Sequence, residues 1–173
     1  MKKMIRMIRI LAVVSILLLT LAINAEAKHL SAASSIEEAM NIAKKHGIKF
    51  ENMAVESTSY AKYAVVDGKT VQISGNYTAS GNPFIPGFSI AVDPYQIELG
   101  SILYVDGYGW GMAADKGKAV TWGIIDVSFI WAHHSDIWGR QPGCKILNFG
   151  KGVFSADQIQ NLIKIKKEYV KKL

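Results

Sequence analysis

Cysteine is almost absent from this chain: its 173 residues include one, Cys144. A lone thiol closes no intramolecular disulfide, so a disulfide-stapled secreted scaffold is excluded. Cys144 stands in Cys-Lys-Ile-Leu, which reads as a strand, and nothing around it lowers a thiol pKa. It reads as a small apolar residue, not a nucleophile. Histidine and cysteine at metal-ligand spacing are missing too. His133-His134-Ser135-Asp136 reads as a polar loop, adjacent histidines on an extended chain face opposite ways, and neither a metal nor another cofactor is expected. A basic face is also lacking. The formal charge is +6, but residues 1–27 hold four basic residues against one acidic, and residues 164–173 hold five lysines against one glutamate. The body between them is close to neutral at −1, which argues against a nucleic-acid partner. There is no internal repeat and no low-complexity tract.

What is present divides the chain into four segments. Residues 1–27 read as an export signal: Lys2, Lys3, Arg6 and Arg9 come first, then an apolar run over 10–23, then Ala25-Glu26-Ala27 in a small-x-small pattern. The apolar run falls short of the roughly 20 residues that span a bilayer, which favours cleavage after Ala27 and a secreted or wall-associated product. Residues 28–53 are expected to be helical. Ser34 and Ser35 precede Glu37 and Glu38 at capping-box spacing, Ile36, Ala39, Met40 and Ala43 share a face, and Gly47 can close the end.

Over residues 54–152 the composition changes. All four prolines and fourteen of the fifteen glycines lie between 68 and 152. Short β-rich runs at 55–60, 70–73, 88–92, 102–105, 110–114, 124–129 and 145–149 alternate with turns, which points to a compact, mainly β barrel. Residues 153–173 hold a closing basic helix. Ser155 and Gln158 fit its N-cap pair, Ile159, Leu162, Ile165, Tyr169 and Leu173 its buried stripe, and lysines its outer face. Those lysines complement the helix dipole and offer weak contact with anionic wall polymer or a membrane surface.

Chemistry concentrates in residues 89–128. Asp93 in Ala-Val-Asp-Pro, Asp115 in Ala-Ala-Asp-Lys-Gly and Asp126 in Ile-Ile-Asp-Val each follow an apolar run that reads as a buried strand. An unpaired carboxylate in such a place is costly, so each needs a reason. Turn capping suffices for Asp93 and Asp115, which run straight into turn residues, but less so for Asp126, which has none beside it. An apolar setting and neighbouring carboxylates both raise a carboxyl pKa, as a general acid near neutral pH requires. Asp126 is therefore the first catalytic candidate. Trp110, Trp122, Trp131 and Trp138 are interleaved with the aspartates. Trp110, among glycines, and Trp138, before Gly139-Arg140, suit a sugar-stacking groove; Trp122 and Trp131 suit the core. Arg140 suits a substrate carboxylate or an internal ion pair.

The three aspartates, 22 and 11 residues apart, occur with Tyr77-Thr78-Ala79-Ser80-Gly81, Leu99-Gly100, Gly107-Tyr108-Gly109 and Trp138-Gly139-Arg140. Together, over roughly residues 54–149, they resemble the three-aspartate domain of bacterial cell-wall proteins; Glu98 stands where that family usually has proline. The family is similar to the catalytic barrel of peptidoglycan lytic transglycosylases. The resemblance implies a six-stranded double-psi β-barrel with flanking N- and C-terminal helices. It implies peptidoglycan glycan strands as partner. The expected reaction is cleavage of the β-1,4 bond between N-acetylmuramic acid and N-acetylglucosamine, with a 1,6-anhydro product and no cofactor. By the same resemblance Asp126 acts as acid and then base, Asp115 and Asp93 orient the site, and Thr78, Ser80 and Gly81 hold sugar hydroxyls. A glycoside hydrolase and a non-catalytic glycan- or wall-binding barrel stay open as alternatives.

Overall fold

The computed structural model describes residue 30 and residues 33–170. The export signal expected over 1–27 lies outside the described residues, as do Leu173 and the side chain of Tyr169 in the expected stripe of the closing helix. The elements run α1 (Ile36–Lys45), β1 (Glu51–Val66), β2 (Lys69–Gln72), β3 (Ser89–Ala91), β4 (Ile102–Val105), β5 (Gly109–Asp115), β6 (Ile124–Trp131), α2 (Ala132–Trp138), β7 (Gln141–Asn148) and α3 (Ala156–Val170).

Each of the seven β-rich runs coincides with a strand. Pairing in the order β1–β6–β3–β5–β4–β7 returns to β1 and closes a six-stranded barrel. The β1–β6 and β3–β5 pairs are parallel and the rest antiparallel. This is the expected mainly β barrel with a helix before and after it. β2 stays outside the closed ring, paired with the far end of β1 through a tight turn. Asp67 and Gly68 both take positive φ, 51° and 73°, the backbone a two-residue hairpin turn demands.

Alternation along the strands sorts side chains to two faces. Leu103 and Val105 join Val55, Ile90, Ala113, Ile125, Val127 and Ile146 inside the barrel. Ile102 and Tyr104 face the other way and pack with Trp110, Leu147 and Phe149 under α1 and α3, against Ile36, Ala39, Ala43, Leu162 and Ile163. On β6 the same rule puts Ile125 and Val127 inside and Asp126 outside.

The structure corrects several expectations. The first helix spans ten residues, not the whole of 28–53. Ser35 Oγ caps it by accepting from Glu38 N at 3.1 Å, and Gly47, at φ 66°, ends it. Residues 51–54 instead extend β1, since Glu51, Asn52, Met53 and Ala54 find ladder partners in β7. The expected loop at His133–Asp136 is the helix α2, which carries the chain from β6 to β7. Lys166, expected on the wet face of the closing helix, is buried; its ammonium donates to the Tyr108 carbonyl and lies 3.9 Å from the Tyr108 ring. Burial lowers its pKa to about 8.

Trp110, expected in a groove, is another. It is buried in the core between barrel and helices, with ring centroids 5.0 Å from Tyr104, 5.4 Å from Phe149 and 5.6 Å from Phe154. The reason is parity: Trp110 lies directly opposite Tyr104 in the β4–β5 ladder and shares its helix-facing side.

Candidate active site

Two of the three aspartates meet across a single alanine. Ala91 on β3 is in register with Asp115 on β5 and with Asp126 on β6. Residues directly opposite in a ladder point to the same face, so the two carboxylates flank Ala91 on the outer side of the barrel. Strand spacing puts their Cα atoms about 10 Å apart. Ala91 itself is buried between them.

A β-bulge makes this meeting possible. Ile90 pairs with Ala113, but Ala91 pairs with Asp115, so β5 holds one extra residue, Ala114. Without it Ala114 would face Ala91 and Asp115 would follow Ala113 to the inner side. The bulge re-aims the carboxylate outward. Close packing supports it from below: a Cβ on Gly111 would stand 2.5 Å from Ile90 Cδ1 and 2.9 Å from the Phe88 carbonyl.

The three carboxyl groups occupy different settings. Asp126 is half-buried at mid-strand, where Thr58 Oγ1 donates to its Oδ1 at 3.0 Å. Burial raises its pKa above the ordinary value of 3.8. The Thr58 hydrogen bond pulls it back in part, and the negative charge of Asp115 pushes it up again. Asp115 is tied down. Its Oδ1 accepts from Ala79 N and from Lys116 N, each at 2.9 Å. Asp93 caps its own turn, with Oδ1 accepting from Tyr95 N at 3.0 Å. It sits two residues beyond Ala91, past the end of β3.

Two residues of β1 complete the face, and the sequence reading passed over both. Thr58 is opposite Asp126, and Tyr60, two residues on, shares its side of the strand. The Tyr60 hydroxyl is buried without a hydrogen-bond partner among the described residues. Burial raises its pKa well above the usual phenol value, and the charges of Asp115 and Asp126 add to the rise. Tyr60 therefore stays protonated, a donor held near both carboxylates. The signal was present as alternation: Glu56, Thr58 and Tyr60 stand at i, i+2 and i+4 of a strand.

The other expected site residues divide. The Tyr77–Gly81 loop is clamped to the Asp115 strand by the Ala79 bond and by Ser80 N donating to the Ala114 carbonyl at 3.1 Å. Thr78 is buried, its hydroxyl shared with Ser80 Oγ and the Asn82 carbonyl. Gly81 takes φ 80° at the loop's turn. Arg140 pairs with Glu56 at 2.5 Å, beside the face but with no aspartate. Trp138 packs on Tyr108 and Phe129 and donates from Nε1 to Ser57 Oγ at 3.2 Å, which sets it against the barrel interior and away from Thr58's side of β1. Trp122 and Trp131, expected in the core, are exposed and partly exposed respectively. Cys144 is pushed up to a pKa of about 11, by burial first and then by Asp106, and stays a thiol at neutral pH.

Two cavities among the described residues lie elsewhere. One of about 430 Å³ is lined by Ile85, Pro86, Ile130 and α3, and one of about 470 Å³ lies between the start of α1, the β4–β5 turn and α3. The aspartates occupy neither. All three remain partly exposed.

Residues 88–146, the stretch that contains this face, match the model of the 3D domain family. Two curated proteins of Bacillus subtilis (strain 168) are similar to this chain. The putative cell wall shaping protein YabE is 38% identical over 97 residues, covering 56% of this chain and 23% of that protein. The cell wall-binding protein YocH is 45% identical over 60 residues, covering 34% of this chain and 21% of that protein. The chain thus spans less than a quarter of either relative. Among solved structures, this chain is similar to MltA from E. coli, at 18% identity and a TM-score of 0.36, over 46% of this chain and 29% of MltA. It is also similar to the lytic transglycosylase LtgG of Burkholderia pseudomallei, at 25% identity and a TM-score of 0.34, with the same coverage.

Proposed function

We propose that this protein is an exported enzyme of lytic transglycosylase type that cleaves the β-1,4 bond between N-acetylmuramic acid and N-acetylglucosamine in peptidoglycan. One observation carries the reading. Asp126 is a half-buried carboxyl whose proton affinity is raised by burial and by Asp115, on a face that solvent can reach. That is the state a general acid needs when its substrate has a poor leaving group. The names of the relatives, cell wall shaping and cell wall-binding, support the wall as the place of action.

In this reading Asp126 gives its proton to the glycosidic oxygen as the bond to C1 breaks. The resulting carboxylate takes the proton of the same sugar's C6 hydroxyl. The C6 oxygen then bonds to C1 and closes the 1,6-anhydro ring. The proton count balances, no water is consumed, and Asp126 is left protonated again, ready for the next turnover. Thr58 orients the carboxyl, Asp115 raises its pKa and fixes the Thr78–Gly81 loop, and Asp93 fixes the turn that carries Tyr95. Cleavage near Ala27 would release the chain to the wall. Lys164 and Lys167, both exposed on α3, offer the weak contact with anionic polymer or lipid.

A second reading, a barrel that binds wall glycan without cutting it, is favoured by the name of YocH. Digestion of purified peptidoglycan followed by mass analysis separates the two. Anhydro-muropeptides from the wild type that disappear with Asp126→Asn support the enzyme. Products with reducing ends alone indicate a hydrolase, and wall binding without soluble product indicates the binding module.

A further inference from the structure

Two aromatic side chains stand in solvent at the edge of the aspartate face. Trp122 is 70% exposed and Tyr95 is 94% exposed. Neither contributes to the core, yet both backbones are firmly held. Gln96 Oε1 accepts from Gly123 N at 2.7 Å, which ties the Tyr95 turn to the Trp122 turn. The Gly123 carbonyl accepts from Glu56 N at 2.8 Å and the Thr121 carbonyl from Ile124 N at 2.9 Å, which fix the Trp122 turn to β1 and to the start of β6. Tyr95 N is bonded to the Asp93 carboxylate. The two rings are thus anchored beside two of the three aspartates.

We propose that Trp122 and Tyr95 form an aromatic platform for a pyranose ring of a glycan strand that continues onto the aspartate face. Trp and Tyr offer wide, stiff apolar faces with a polar edge, which suits the apolar side of a sugar ring while its hydroxyls stay wet. Trp122 precedes Asp126 by four residues, at most about 13 Å of chain, so the platform holds a sugar removed from the bond at Asp126. Continuity selects the occupant, because β3 and β6 lead from the platform directly to the carboxylates. Glu56, whose N–H holds the Trp122 turn, has its carboxylate paired with Arg140. The platform rests on the reading that this face takes peptidoglycan glycan, and not on whether the bond is cut.

The test uses the Asp126→Asn protein, so that glycan is not consumed, and measures its binding to peptidoglycan strands freed of stem peptides. Trp122→Ala is expected to weaken binding about two- to tenfold and Tyr95→Ala somewhat less, with an unchanged thermal midpoint. Trp122→Phe is expected to recover most of the loss. If the single and double alanine variants bind glycan strands as tightly as their parent, the platform is wrong while the glycan reading stands. If the parent does not bind glycan strands at all, both are wrong. Binding that depends on Trp122 in a protein whose wild type yields no anhydro product supports the platform and removes the enzyme.

Discussion

Asp126 lies in the middle of β6, half-buried, with one donor at its carboxyl and a like charge across Ala91. Asp93 lies at the end of β3, where its carboxylate accepts from the backbone of its own turn. In the sequence both follow apolar runs. The difference is the number of donors near at hand. A strand interior spends its backbone N–H groups on the ladder, so a mid-strand carboxylate has few donors and holds its proton longer. A strand end leaves backbone N–H groups free to bond a carboxylate. Asp115 stands between them, at a strand end but turned outward by a bulge, and bonded to two N–H groups.

The sharpest way to break this contrast is Asp126→Asn. Product formation is expected to fall about 100-fold or more, since the general acid is gone. Stability moves the other way. The folded-state pKa of Asp126 is raised, so the folded protein keeps this proton where the unfolded chain has released it. The charged group therefore costs stability above its folded pKa, and the cost vanishes as pH falls below the unfolded value. Thermal melts at pH 7 are expected to show an equal or higher midpoint for the asparagine variant.

Asp115→Ala comes next. It leaves Ala79 N and Lys116 N without their acceptor and is expected to cost about 1–3 kcal/mol in denaturant titration. It also removes the like charge, so the alkaline limb of the activity profile moves to lower pH. Asp115→Asn restores the acceptor but not the charge, which separates the two effects. Thr58→Val is smaller and opposite in sign. Losing the donor to ionised Asp126 moves the alkaline limb to higher pH, at a stability cost of about 1 kcal/mol. Asp93→Asn is the smallest. Asparagine accepts the same bond from Tyr95 N, and stability is expected to stay within about 0.5 kcal/mol, with product formation retained. Loss of product in a folded Asp93→Asn protein would place Asp93 in the chemistry and end the contrast.

Much of the barrel was legible because strands and turns alternate in composition, and the turn glycines and prolines mark the ends of β3 to β7. The tryptophans were not. Trp110 and Trp122 both neighbour glycine, and local sequence does not say which partner strand each will face. Trp110 meets Tyr104 across a ladder and turns toward the helices; Trp122 falls in a turn and is 70% exposed. The meeting of Asp115 with Asp126 depends on one inserted residue at Ala114, whose effect exists only once β3 and β5 are paired. Helix α2 was hidden because seven residues with two histidines and a serine carry no strong helical period, and Ser135 anchors it by contacts with Ser59, far back on β1.

The most direct test is a carbon-13 carboxyl NMR titration of Asp126, assigned by its loss in Asp126→Asn. A midpoint above 3.8 that falls when Asp115 is replaced by alanine is the expected result. A midpoint at or below 3.8, or one indifferent to Asp115, contradicts a proton held by burial and by a carboxylate facing it across Ala91.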